Sequence, residues 1–276
     1  MRYPAVAGSF YPLNANTLTR EVDAFLAQGR KEVSVSANIA IAPHAGYEYS
    51  GKTAGYSFAA LEKNLKKENT SMVILCPNHT GLGEIVSVSF EDWKTPIGTS
   101  STDLRLAAKI ILSCPLMRRN EAAHFREHSI EVMLPFIQRI NPKAKIVAIC
   151  IGVQGEKIAS EVGKAIFDAC SDNEFKDRNI LLLASSDFTH YESGERAKLM
   201  DKMPIEFIKK LDANALEREV EQNGLSICGH GPIAAAIYYA KLAGKKEAKL
   251  LKYTNSGKET NGNESSVVAY ASLVFI

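Results

Sequence analysis

Three apolar runs in this chain end in residues able to hold a metal ion or move a proton. IAIAP runs into His44 within APHAGYEYSG, MVILCP runs into Asn78 and His79 within CPNHTG, and ILLLASS runs into Asp187 and His190 within SSDFTHY. A fourth group, Cys228 in SICGHGPIAAAIYYA, stands just before an Ala-rich helical pattern. The chain has six histidines in 276 residues, so three of them at the ends of apolar runs is a pattern and not scatter. If these runs are neighbouring parallel strands, the three histidines and Asp187 converge in the crevice outside the carboxyl ends of a sheet, where open α/β proteins bind their ligands.

Imidazole suits iron, copper and zinc, and a thiolate adds preference for softer ions such as copper(I) and zinc. A His44/His79/Cys228 set would leave coordination positions open, as a catalytic site needs and a closed structural site does not. His190 then reads as an acid/base outside the ligand set, because imidazole titrates near neutral pH. Asp187, three residues earlier, is expected to hold that ring and favour its charged form. Cys228 is expected to face the positive end of a helix, with its thiolate favoured below the free-thiol value of ~8.5. The other four cysteines, Cys76, Cys114, Cys150 and Cys170, read as small buried hydrophobes.

The segment AAHFREHSIEVMLPFIQ adds Glu127 and Glu131 at i,i+4 and His128 and Glu131 at i,i+3, which helical placement would set on adjoining faces. His128 and Glu131 are expected to line the pocket, with Asn78 and His230 beside the ligands they neighbour in sequence. His124 is placed outside it. A rival reading pairs Ser186 with His190 as a hydrolase, but leaves His44, His79 and Cys228 idle. No GxGxxG turn, Walker loop, HExxH helix or GxSxG elbow occurs.

The elements that must position these residues follow from periodicity. Apolar, β-rich runs at 38–42, 72–76, 85–90, 145–151, 179–184, 248–253 and 267–275 read as strands. Amphipathic patterns at 15–28, 52–66, 103–112, 129–140, 156–169, 204–221 and 232–242 read as helices, with Asn14 as a cap and Pro204 and Pro232 near helix starts. Continuous apolar strands such as KIVAICI are expected where helices cover both faces of a sheet. The alternating SSVVAYASLVF reads as an edge or antiparallel strand. The sequence therefore predicts a single α/β domain over residues 1–276, with a mixed, largely parallel sheet and helices on both faces.

Composition bounds the function. A 46% apolar and 23% charged chain is ordinary for globular proteins, and a formal charge of +2 gives no field aimed at nucleic acid or an anionic membrane. No apolar run nears the ~18–20 residues of a spanning helix, and MRYPAVAGSFYP lacks the apolar core of an export signal. Five cysteines without a CxxC pair argue against a disulfide framework. A cytoplasmic protein acting on a small-molecule or peptide ligand is expected, with the oligomeric state open.

With these residues in hand, the chain resembles the Memo family along almost its whole length. AGSFYP, IAPHAGYEYSGKTA, CPNHTG, TPIG, EHSIEVMLPF, SSDFTHY, ICGHGPI and SSVVAYAS occur in that order. The family is similar in fold to the class III extradiol dioxygenases, which are non-heme iron enzymes. The resemblance implies metal ligation by His44, His79 and Cys228, iron or copper as the ion (zinc being possible), and His190 as the acid/base beside it. Cys228 stands where those dioxygenases present a carboxylate, and thiolate changes both metal preference and redox potential. Ring cleavage is therefore not carried over with the fold.

Overall fold

Alternation along the apolar runs decides the layers. In the computed structural model, which describes residues 1–276, Met72, Ile74 and Cys76 pack into one core and Val73 and Leu75 into another. Successive strand side chains point to opposite faces, so a continuous apolar run can fill a core on each side.

In chain order, helix α1 (Ala15–Glu32) leads to strand β1 (Ile39–Ala42), α2 (Tyr47–Leu65) and β2 (Thr70–Pro77). Three short strands follow, β3 (Val86–Val88), β4 (Trp93–Thr95) and β5 (Gly98–Ser100), and then α3 (Leu104–Leu112), β6 (Met117–Arg119) and α4 (Ala122–Phe125). A 3-10 turn at Glu131–Met133 opens into α5 (Leu134–Ile140), followed by β7 (Lys145–Ile151), α6 (Glu156–Cys170), β8 (Asn179–Ser185) and β9 (His190–Glu192). The remainder is α7 (Gly194–Lys209), α8 (Ala213–Asn223), α9 (His230–Leu242), β10 (Ala248–Asn255), α10 (Ser256–Glu259) and β11 (Val267–Phe275).

The main sheet runs β10-β11-β1-β8-β2-β7-β3-β6, with β9 paired to β11. Its centre, β1, β8, β2 and β7, is parallel, while β11 and β3 join it antiparallel. Residues of α1, α2 and α5 form the core on one face; α3, α6, α7, α8 and α9 cover the other. The expected α/β architecture is thus present, and no helix is long and apolar enough to cross a membrane.

Several boundaries differ from the periodicity. The helix expected over 204–221 is two: α7 begins ten residues earlier, capped by Ser193, whose side chain accepts from Arg196 N. It ends at Lys209, and Leu211, with φ of 56°, turns the chain before Asp212 caps α8. Pro204 is therefore inside α7, not at its start; one lost backbone donor is tolerated where Pro204 is buried against the core. The terminal strand is antiparallel, one of its two expected readings, and not an edge: it is flanked by β1 and β10, so β10 is the edge. Cys76, Cys114 and Cys150 are buried as expected; Cys170 is only half-buried.

Residues 127–130 are not helical, so Glu127 and Glu131 do not share a helix face. Glu131 does not line the pocket either. It is fully buried and ties down the N-terminal segment, accepting from Arg2, Ala5 N (2.8 Å), Val6 N (3.0 Å) and Tyr11 OH (2.6 Å). Arg2, also buried, spends its other donors on the carbonyls of Tyr3, His124 and Glu127. Removing one partner of such a buried pair strands the other charge. Glu131→Ala should lower the unfolding free energy in urea by about 3–5 kcal/mol, and the paired Arg2→Met/Glu131→Leu variant should recover most of that loss.

Candidate metal centre

His44 follows β1 by one residue beyond Pro43, and Cys228 approaches it from the loop before α9. The Cys228 Sγ lies 3.2 Å from His44 Nε2 across 184 residues of sequence. His44, His79 and Cys228 each offer one ligand atom, and the three atoms lie within 4.8 Å of one another. Bonds of ~2.0–2.3 Å from zinc to nitrogen and sulfur place neighbouring tetrahedral ligand atoms roughly 3.5 Å apart, close to the observed pair. The donor set is chemically apt: two neutral imidazoles and a thiol suit a borderline or soft transition metal.

The second nitrogen of each ring is held. His44 Nδ1 is 2.8 Å from Ser185 Oγ, and that hydroxyl donates to Ser129 O at 2.9 Å, so Nδ1 must carry the proton it shares with Ser185. His79 Nδ1 donates to Glu127 Oε1 at 3.0 Å. In its neutral form each histidine therefore presents a bare Nε2, which is what ligation through that atom requires. His190 follows the same rule: Nδ1 donates to Ser226 O at 2.8 Å and leaves Nε2 free.

Glu127, marked in the sequence only by its i,i+4 spacing from Glu131, is a site residue. It is fully buried and accepts from His79 N (2.7 Å), His79 Nδ1, Ser129 N (3.0 Å) and Ser129 Oγ (2.7 Å). Burial alone would raise its pKa, but the hydrogen bond and charge of His79, with His128, hold it far below the carboxylate range. For His79, burial opposes the charged form, yet Glu127 outweighs it and the pKa rises. That spacing does not show its target, which lies 48 residues away.

His128 does reach the site. Its ring centroid is 4.7 Å from that of His79 and 5.4 Å from that of His44, and burial pushes its pKa down to about 4. Three other residues have partners that the sequence did not specify. Asn78 shapes the turn after β2, accepting from Thr80 N and Gly81 N and donating to Leu82 O. His230 faces α8, with Nδ1 3.0 Å from both Glu217 oxygens. Asp187 does not hold the His190 ring; its Oδ1 accepts from His44 N at 2.8 Å and so fixes the ligand-bearing loop, while burial raises it to about 7. Burial also lowers the pKa of His190, so the ring is favoured neutral and not charged.

Behind His190 stands a residue that the sequence left unmarked. Buried Asp201 of α7 accepts from Thr189 Oγ1 at 2.6 Å and from Tyr253 OH at 2.7 Å, fixing the backbone from which His190 projects. Nothing joins Ser186 to His190: the Ser186 hydroxyl donates to Asp187 O and accepts from Gly229 N. His124 is buried away from the cluster, near Ser87 O and Trp93.

The thiol reverses its sequence expectation. Cys228 Sγ turns toward His44 and accepts from Asp187 N at 3.2 Å. Burial, then the Asp187 charge, pushes its pKa well above that of a free thiol. The sulfur thus stands 3.2 Å from His44 Nε2, with Asp187 O a further acceptor for its proton at 3.6 Å.

Fold and site together define an α/β protein with nitrogen and sulfur donors gathered at the carboxyl edge of its sheet. The chain belongs to the Memo family: the profile described as Memo-like protein matches residues 2–274. It is 43% identical over 276 residues to a MEMO1 family protein of Methanosarcina mazei, covering 99% of this chain and 98% of that one. A MEMO1 family protein of Methanocaldococcus jannaschii is 39% identical over 286 residues, with coverage of 99% and 98%. An uncharacterized Escherichia coli K12 protein of known crystal structure shares the fold alone, at TM-score 0.50 and 12% identity over 79% of this chain and 91% of that one.

Two measurements check these electrostatics. Iodoacetamide labelling of Cys228 in metal-free protein should show a midpoint above the free-thiol value of ~8.5, reversing the dipole-based expectation. Glu127 binds its proton less readily when folded, so its stabilisation is present above the unfolded value of ~4.3 and is lost as pH falls. Between about pH 4.3 and 2, the wild type should therefore lose stability more steeply than Glu127→Gln.

Proposed function

We propose that this Memo family member is a mononuclear metal-binding redox protein, an oxidoreductase holding iron or copper on His44, His79 and Cys228, with zinc as the third candidate ion. One observation carries the reading. Two imidazoles, each with Nδ1 committed elsewhere, converge with a thiol so that all three ligand atoms fall within 4.8 Å. Bound there, iron or copper would supply one-electron chemistry and open positions for a small molecule.

The surrounding residues have separable tasks. Glu127 orients His79 and raises its basicity as a ligand, and Asp187 fixes the backbone of His44. His190, neutral and with Nε2 free, is suited to accept a proton at that atom, its ring angle set by Ser226 O. Cys228 must shed its proton when it becomes a ligand, so loading should release acid and strengthen as pH rises.

Protein purified from cells supplied with iron and copper, under reducing conditions, should carry close to one transition-metal ion per chain. His44→Ala, His79→Ala and Cys228→Ala should each lose most of it, whereas His190→Ala should keep affinity within a few-fold. Where an oxygen-dependent turnover is found, His190→Ala should slow it by roughly 10²–10⁴. Equal metal loss in all four variants would make His190 a ligand. Wild-type protein holding no more metal than the variants would leave a non-catalytic cleft for a peptide or small anion.

A further inference from the structure

We propose that Gln154 is a positioning residue for Cys228, a side-chain clamp that sets where the thiol stands; as a statement about ligand geometry it rests on the metal-binding reading. Gln154 lies in the loop between β7 and α6. Its Nε2 donates to Cys228 O at 2.8 Å, and its Oε1 accepts from Gly231 N at 2.8 Å. One planar amide thus spans the turn that carries the thiol, gripping it on both sides of Gly229 and His230.

The turn needs an outside grip. The first amides of a helix have no partner within it, and α9 begins after Gly229, which offers no side-chain cap. Gln154 supplies the missing acceptor from another element. Gly231 makes room for it, since a Cβ there would lie 3.0 Å from both Gln154 Cβ and Oε1. On the opposite side, Gly229 N donates to Ser186 Oγ at 3.0 Å, and a Cβ on Gly229 would fall 2.5 Å from Ser185 O. Cys228 is therefore pinched between the end of β8 and the Gln154 amide. Of the three ligand atoms its sulfur comes from farthest away in sequence, and this pinch holds it beside His44 Nε2.

The test compares wild type, Gln154→Ala, the similarly sized Gln154→Met, Cys228→Ala and the Gln154→Ala/Cys228→Ala double variant. Metal-free Cys228 should react with iodoacetamide about tenfold faster in both single Gln154 variants, with the unfolding temperature within ~2–4 °C of wild type. Cobalt(II) alone is the metal probe, read by its thiolate charge-transfer band. Its affinity should fall about 10–100-fold in both Gln154 variants, as with other groups that orient ligands. In the Cys228→Ala background, where the thiolate band is lost and bound cobalt is measured by equilibrium dialysis, Gln154→Ala should weaken cobalt no further. Wild-type alkylation rates and affinities in Gln154→Ala would overturn the proposal. So would full rescue by Gln154→Met, which would make the contact one of shape, or an equal loss in the Cys228→Ala background. If even the wild type takes up no cobalt, the metal reading fails by itself, and the alkylation rates still decide the clamp.

Discussion

Everything at the candidate site depends on β1, β8 and β2 lying side by side in one direction. Ala184 of β8 is in register with Ile41 of β1 and Leu75 of β2. The three chains therefore leave the sheet at one level, and each releases its polar residue within a few positions. A one-residue slip of β1 would turn every side chain on it to the other face. The two hydrophobic cores, with 45 and 31 buried residues, resist such a slip from both sides. Precision at the ligand atoms is inherited from packing far beneath them.

On this platform the chain uses buried acids as fasteners. Glu127 and Glu131 are four residues apart, yet one accepts from His79 and Ser129 while the other accepts from Arg2, Tyr11 and two backbone amides. Each is fully buried and each has its lone pairs occupied, the condition under which a buried charge is tolerable. The irregular stretch between α4 and the 3-10 turn lets them part. Asp201 does comparable work for the backbone before His190. Backbone that leaves a sheet edge is otherwise the least constrained part of such a fold.

The strands, and the meeting of His44 and His79, were legible in the sequence because continuous apolar runs with abrupt polar endings leave a strong local signal, and Cys228 was marked by its place before an Ala-rich helical pattern. Glu127, Asp201 and Gln154 were not, because each acts on a residue distant in sequence and no spacing records it. Cys228 shows a different failure. A helix dipole is worth typically 0.3–1 kcal/mol at a surface, under one pKa unit at 1.36 kcal/mol per unit, whereas full burial shifts a group by up to 3–5 units. Position relative to α9 was readable; the partial burial of Cys228 beside Asp187 was not, and that surrounding is the larger effect. The two helices mistaken for one had the same root, since Pro204 looks like a beginning until the core that buries it is known.

The 184 residues between Cys228 and His44 also say something about time. Closing a loop of that length gains nothing until the sheet between the two residues exists, so this contact belongs to the late part of folding. In small zinc domains the ion organises an otherwise disordered chain. Here an ion of the proposed kind would meet a scaffold already complete, and the order of events would be reversed, with folding first and loading afterwards. Nascent chains would expose no assembled ligand set, and loading would fall to the finished molecule.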